Sequence, residues 1–131
     1  MENDSSTSAA APHWPELRPP SLRLVILSRS RSRSITSHRL FPSAPLLVPA
    51  GEAADYAHTG LAVETIPDEV AGISAVRNWT LRRFPEDALV MLDDDISACV
   101  CMVSLRCRRL SPDETLAMIE NAAVCARGAG A

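Results

Sequence analysis

Hydrophobic residues along this chain come in short bursts, separated by polar stretches that carry proline or glycine, and the bursts follow two different periods. Leu22-Arg23-Leu24-Val25-Ile26-Leu27 is an apolar run with a β-branched centre and polar flanks, which predicts a buried first strand. Leu46-Leu47-Val48, stopped by Pro49, predicts a second, and Leu61 to Ile66 alternates apolar and polar positions as a third, closed by Pro67. Between the strands, Ile35 to Phe41 predicts a short helix ended by Pro42 and Pro45, and Gly51-Glu52 opens another that runs to His58. From Gly72 to Phe84 the apolar residues Ile73, Val76, Trp79 and Phe84 fall near one helical face, and Pro85 ends it. Ala88 to Leu92 predicts a fourth strand and Cys99 to Val103 a fifth, antiparallel because only a short loop precedes it. Last comes Ser111-Pro112-Asp113-Glu114, a capping box with proline at the first helical position. Its apolar face continues through Leu116, Ile119, Ala123 and Ala126 to a stop at Gly128, and its expected role is packing.

Short strands alternating with helices are the pattern of a doubly wound sheet, so the predicted fold class is α/β: a three-layer α/β/α sandwich with a mainly parallel sheet. Met1 to Pro20 is rich in Ser, Ala and Pro and has no periodicity, which predicts a flexible leader over residues 1–20 and one domain over 21–131.

Composition changes this picture only in places. With 47% hydrophobic and 22% charged residues the chain belongs to the ordinary soluble class, and at 4% aromatic its core must be aliphatic. A net charge of −3 argues against a dedicated nucleic-acid binder, although the arginines are unevenly placed and leave room for one basic face. All 13 basic residues are arginine. A GC-rich genome is explanation enough, yet arginine also suits bidentate contact with phosphate. Cys99, Cys101, Cys107 and Cys125 lack the paired spacing of a zinc site, and Cys99 and Cys101 are expected as small core residues on one face of a strand. No apolar run approaches the roughly 18 residues of a membrane span, and no signal-peptide pattern opens the chain, so the expected compartment is the cytoplasm.

Two stretches carry candidate chemistry. Leu89-Val90-Met91-Leu92 runs straight into Asp93-Asp94-Asp95, as a buried strand delivering carboxylates at its carboxyl end, where open α/β sheets place their ligands. Three adjacent anions are tolerated when a divalent metal, a basic side chain or bulk water offsets them. The second stretch, Ser28-Arg29-Ser30-Arg31-Ser32-Arg33-Ser34, follows the first strand. Seven residues between a strand and a helix make a poor low-complexity tail, so it is either a solvated loop or a phosphate-facing loop, since arginines there stand where an anionic ligand would lie. Arg77, at the edge of its helix's apolar stripe, either reaches a ligand or snorkels to water.

Together these features resemble a known family. Gly72, then Arg77-Asn78, then an apolar strand ending in Asp93-Asp94-Asp95 resembles the nucleotide-binding half of GT-A-fold, family 2-like glycosyltransferases, in which an Ala-Arg-Asn helix precedes a strand bearing the DxD motif. Val76 stands here where that family usually has alanine. Ser28-Arg29-x-Arg31 and Arg77-Asn78-Trp79 upstream of Leu92 to Ile96 resemble more closely the bacterial and phage members associated with modified DNA bases. The likeness covers Leu22 to Val103. It implies a Rossmann-like nucleotide-binding half, a nucleotide-sugar donor, Mn²⁺ or Mg²⁺ held by Asp94 and Asp95, and Asp93 on the ribose or sugar hydroxyls. Arg77 and Asn78 would approach the base or diphosphate, Ser28, Arg29 and Arg31 would line the nucleotide pocket, and Glu52 would stand against the base. A modified DNA base is the acceptor this narrower likeness suggests. The implied activity is glycosyl transfer; the competing expectations are a non-catalytic nucleotide-binding module and an Arg-Ser-driven RNA-binding protein. Because the pattern ends one helix after its fifth strand, the domain is expected to be C-terminally incomplete, with an uncovered sheet edge open to self-association.

Overall fold

The computed structural model describes residues 20–130, so the expected leader lies outside the described residues except for Pro20. Four strands, β1 (Leu22–Leu27), β2 (Leu46–Pro49), β3 (Val63–Ile66) and β4 (Ala88–Asp93), form one sheet in the order β3-β2-β1-β4. Every neighbouring pair is parallel, and β1 pairs with β4 along its whole length, from Leu22 opposite Ala88 to Leu27 opposite Asp93. The helix α1 (Ile73–Arg83) carries the chain from β3 to β4.

Strand residues alternate between two faces, and here both faces are covered, which is why the strands are apolar throughout. On one face Ile26, Leu46, Val48 and Leu92 pack with Ile35, Leu40, Phe41 and Tyr56. On the other, Val25, Leu47 and Ile66 pack with Phe84, backed by Val76 and Trp79 of α1. The predicted α/β class, with a parallel sheet between two helical layers, is what the chain forms.

Several elements differ from expectation, each for a local reason. The helix expected over Ile35 to Phe41 shrinks to a 3-10 turn, Ser37–Arg39. The Thr36 and Ser37 N–H groups donate to the Asp94 carbonyl at 2.9 and 3.2 Å, which ties this turn to the acidic turn. The next helix, Ala50–Thr59, is 3-10 rather than α. Its inward residues Ala53, Tyr56 and Thr59 recur every three positions, the period of that helix, and Gly60 ends it at φ 68°. β3 starts at Val63 because the Leu61 N–H is bonded to the Thr59 hydroxyl in a turn.

The fifth strand, β5 (Val100–Val103), is antiparallel but outside the main sheet: it pairs with β6 (Arg106–Arg109) as a separate hairpin. Arg106-Cys107-Arg108-Arg109 shows no apolar alternation, so nothing in the pattern marks it as a strand. The connecting Ser104 and Leu105 both have positive φ, 48° and 64°, as a two-residue type I′ turn requires, and Leu105 is 92% exposed. Cys99 and Cys101 are half-buried rather than core, and all four cysteines are free.

The helix α2 (Pro112–Gly128) has the predicted cap: Ser111 Oγ accepts from the Glu114 N–H, and the Glu114 carboxylate accepts from the Ser111 N–H. Its packing face is only partly covered, with Thr115 buried, Ile119 against the core, and Ala126, Met118 and Val124 exposed. Arg108 ties β6 to this cap through a 2.6 Å ion pair with Glu114. The Arg108 hydrogen bond, then the Ser111 N–H, hold the Glu114 carboxyl below the usual carboxylate range. A folded-state pKa below the unfolded one means the stabilisation is complete above the ordinary glutamate value, about 4.3, and is lost as pH falls through the lower folded value. The Ser111 and Glu114 amide resonances are therefore expected to titrate together in that acidic window, and Glu114→Gln should abolish the titration. No helix among the described residues is long and apolar enough to cross a membrane.

Candidate functional site

The carboxyl ends of the parallel strands open onto a cavity of about 450 Å³, within the size range of small-molecule sites. Leu27, Ser28 and Arg29 enter it from β1, Pro49 and Glu52 from β2 and the turn after it, Asp93 from β4, and Val76 and Arg77 from α1. Strand alternation explains the sorting. Continuing the order of β1 and β4, Arg29 and Asp93 share the face of Leu27 and Met91, towards α1, whereas Asp94 shares the face of Leu92, towards Tyr56.

Asp94 accordingly turns inward and is 5% exposed. Ser28 Oγ donates to Asp94 Oδ2 at 2.6 Å, and Ser28 and Tyr56 hydroxyls lie 2.8 Å apart. A hydroxyl has one proton, and that of Ser28 is spent on the carboxylate, so Tyr56 must be the donor to Ser28. Tyr56 Oη in turn accepts from the Arg31 N–H at 3.2 Å. The result is a one-way chain of donors, Arg31 N–H to Tyr56 to Ser28 to Asp94, terminating on an anion. The Arg31 guanidinium closes the loop over the same acids, 3.6 Å from Asp94 and 3.4 Å from Asp95.

Ser37 holds the acidic turn from beneath. Fully buried, its hydroxyl donates to the Asp93 carbonyl and accepts from the Ile96 N–H. The Arg-Ser stretch is thus a folded loop rather than a low-complexity tail. Glu52 fastens its middle, accepting from the Ser30 N–H at 2.7 Å and from the Ser30 hydroxyl at 3.1 Å, where Ser30 adopts φ 56°. A side chain costs free energy in that left-handed region, and the two bonds to Glu52 offset it.

Of the residues expected at the site, Ser28, Arg29, Glu52, Arg77 and Asp93 line the cavity together. Arg31, Asn78, Asp94 and Asp95 do not line it: Arg31 and Asp95 pair beside it, Asp94 is buried, and Asn78 is exposed on α1. Three contributors were not foreseen. Tyr56 and Ser37 support the turn, and Asp68 lines the cavity while accepting from the Gly51 N–H at 2.9 Å. Tyr56 was detectable, as the only aromatic residue in a stretch with three-residue spacing.

The cavity lining carries both signs of charge. Arg29 and Arg77 line it and form no ion pair among the described residues, while Glu52 and Asp68 are engaged by Ser30 and Gly51. The lining thus carries two guanidinium groups and three carboxylates: Glu52 and Asp68 stay anionic under their bonds from Ser30 and Gly51, and Asp93 is the carboxylate with no hydrogen-bond partner among the described residues. Among the described residues no three His, Cys, Asp or Glu side chains are grouped as metal ligands. Comparisons with protein-family models, with curated proteins and with solved structures gave no match.

Proposed function

We propose that this chain binds the nucleoside-diphosphate part of a nucleotide-sugar donor in this crevice, as the donor-binding half of a GT-A-like glycosyltransferase. The observation that carries the proposal is a cavity at the carboxyl ends of four parallel strands, faced by Arg29 and Arg77 without partners. A sugar nucleotide departs as a diphosphate, so negative charge builds on its phosphate oxygens, and guanidinium groups at the crevice favour that charge. Asp93, unengaged and in the cavity, suits ribose or sugar hydroxyls as their hydrogen-bond acceptor.

The acidic turn suits a hard divalent cation, since its donors are carboxylate oxygens and Mg²⁺ or Mn²⁺ needs only one or two of them when substrate phosphates complete the shell. Asp94 is buried and bonded to Ser28, so within this proposal the direct ligand is Asp95, which is exposed beside the cavity and would exchange its 3.4 Å ion pair with Arg31 for the cation. When bound, such a cation would neutralise the leaving diphosphate. Asp95→Ala is expected to remove the Mn²⁺-dependent part of nucleoside-diphosphate binding and leave the fold intact, because Asp95 is exposed. Calorimetry against a panel of nucleoside diphosphates, with Mn²⁺ and then with EDTA, tests this; equal, metal-independent affinity in the mutant refutes the role.

Activity beyond binding needs a base on the acceptor side. Asp113, Glu114 and Glu120, the only carboxylates after Asp95, line no part of the crevice, and Glu114 is held by Arg108. Turnover separates this reading from a purely nucleotide-binding module.

A further inference from the structure

A second cavity, of about 600 Å³, shares no lining residue with the crevice. It lies between the far end of the Arg-Ser loop, which contributes Ser32 and Arg33, the Ser37–Arg39 turn, which contributes His38, and the end of the 3-10 helix, which contributes His58. Ile35 and Leu61 supply its apolar wall. No carboxylate lines it, so every ionisable side chain there is of the cationic kind. Arg33 forms no ion pair among the described residues, and its guanidinium offers several N–H donors in a fixed fork.

His38 lines the same cavity. Its Nδ1 is buried and makes no hydrogen bond among the described residues. Such a nitrogen, whether it carries the proton or not, forfeits the hydration it had in the unfolded chain, and native structures rarely leave buried polar atoms in this state. Nδ1 itself is sealed from solvent, so the imidazole meets the cavity through its other atoms, beside the unpaired Arg33.

We propose that this cavity is a binding site for a small organic phosphate monoester. Arg33, His38, His58 and the Ser32 hydroxyl are the groups for the phosphate oxygens, and Ile35 and Leu61 those for the organic part. The volume favours an organic phosphate over bare phosphate, because the anion alone would leave the apolar wall uncovered. This inference does not depend on the donor crevice: the Arg-Ser loop sends Arg29 to one cavity and Arg33 to the other.

The test is an NMR titration of the whole chain with inorganic phosphate and with phenyl phosphate, following the imidazole resonances of His38 and His58. Saturable shifts of both are expected, with phenyl phosphate binding more tightly. Arg33→Ala should weaken that binding about tenfold or more, as loss of a charge-assisted hydrogen bond does. His58→Ala, on an exposed position, provides a second variant that leaves the core untouched. Arg29→Ala should change nothing at these two histidines. The proposal is overturned if the wild-type histidine resonances do not move, if Arg33→Ala and His58→Ala both bind as the parent does, or if the shifts are lost with Arg29 instead.

Discussion

Asp94→Ala should destabilise the fold by about 2–4 kcal/mol, while Asp95→Ala, one residue on, should leave stability unchanged within about 0.5 kcal/mol. The difference comes from orientation alone. Asp94 is the terminus of the donor chain from Arg31 through Tyr56 and Ser28, whose last two links are buried. Truncating it strands the Ser28 proton and leaves Arg31 with only the exposed Asp95. Asp94→Asn keeps an oxygen for Ser28 and should recover about half of the loss, since the hydrogen bond survives without its charge. Urea unfolding midpoints of the three variants test the assignment. Equal midpoints for Asp94→Ala and the parent would mean that the buried chain contributes nothing.

Arg29→Ala combined with Arg77→Ala should abolish measurable nucleoside-diphosphate binding. Each guanidinium that contacts phosphate contributes about 1–3 kcal/mol, so losing both costs roughly thirtyfold to 25,000-fold in affinity if they act independently. Neither side chain has a structural partner among the described residues, so thermal unfolding should not move. Undiminished affinity in the double variant would show that both arginines merely extend into water.

The sequence made the sheet legible because parallel strands covered on both faces must be apolar at nearly every position, as Leu22 to Leu27 and Leu46 to Val48 are. It made α2 legible because a capping box is a local device that works wherever it occurs. What escaped was decided at a distance. The place of the Ser37–Arg39 turn is set by the backbone of Asp94, far along the chain, which accepts from the Thr36 and Ser37 N–H groups. β6 escaped because a strand in a two-stranded hairpin has no buried face to impose alternation. At the site, the same alternation that assigned the strands would have separated Asp93 from Asp94 had it been carried past Leu92. Three adjacent acids invite reading as one cluster; the pleat distributes them between a cavity and a core.

The placement of β1 between β2 and β4 also governs when the crevice can exist. β1 meets β2 soon after it is made, but its other edge waits for β4, and the Ser28–Asp94 contact joins residues 66 apart in sequence. Closing so long a loop costs little in stability, since doubling its length adds only about 0.6 kcal/mol, but non-local pairing of this kind slows folding. During synthesis the chain therefore carries Leu22 to Leu27 with one edge unpaired until the acidic turn has left the ribosome. For that interval the nascent chain presents a bare apolar strand edge, the kind of surface on which aggregation and chaperone capture act.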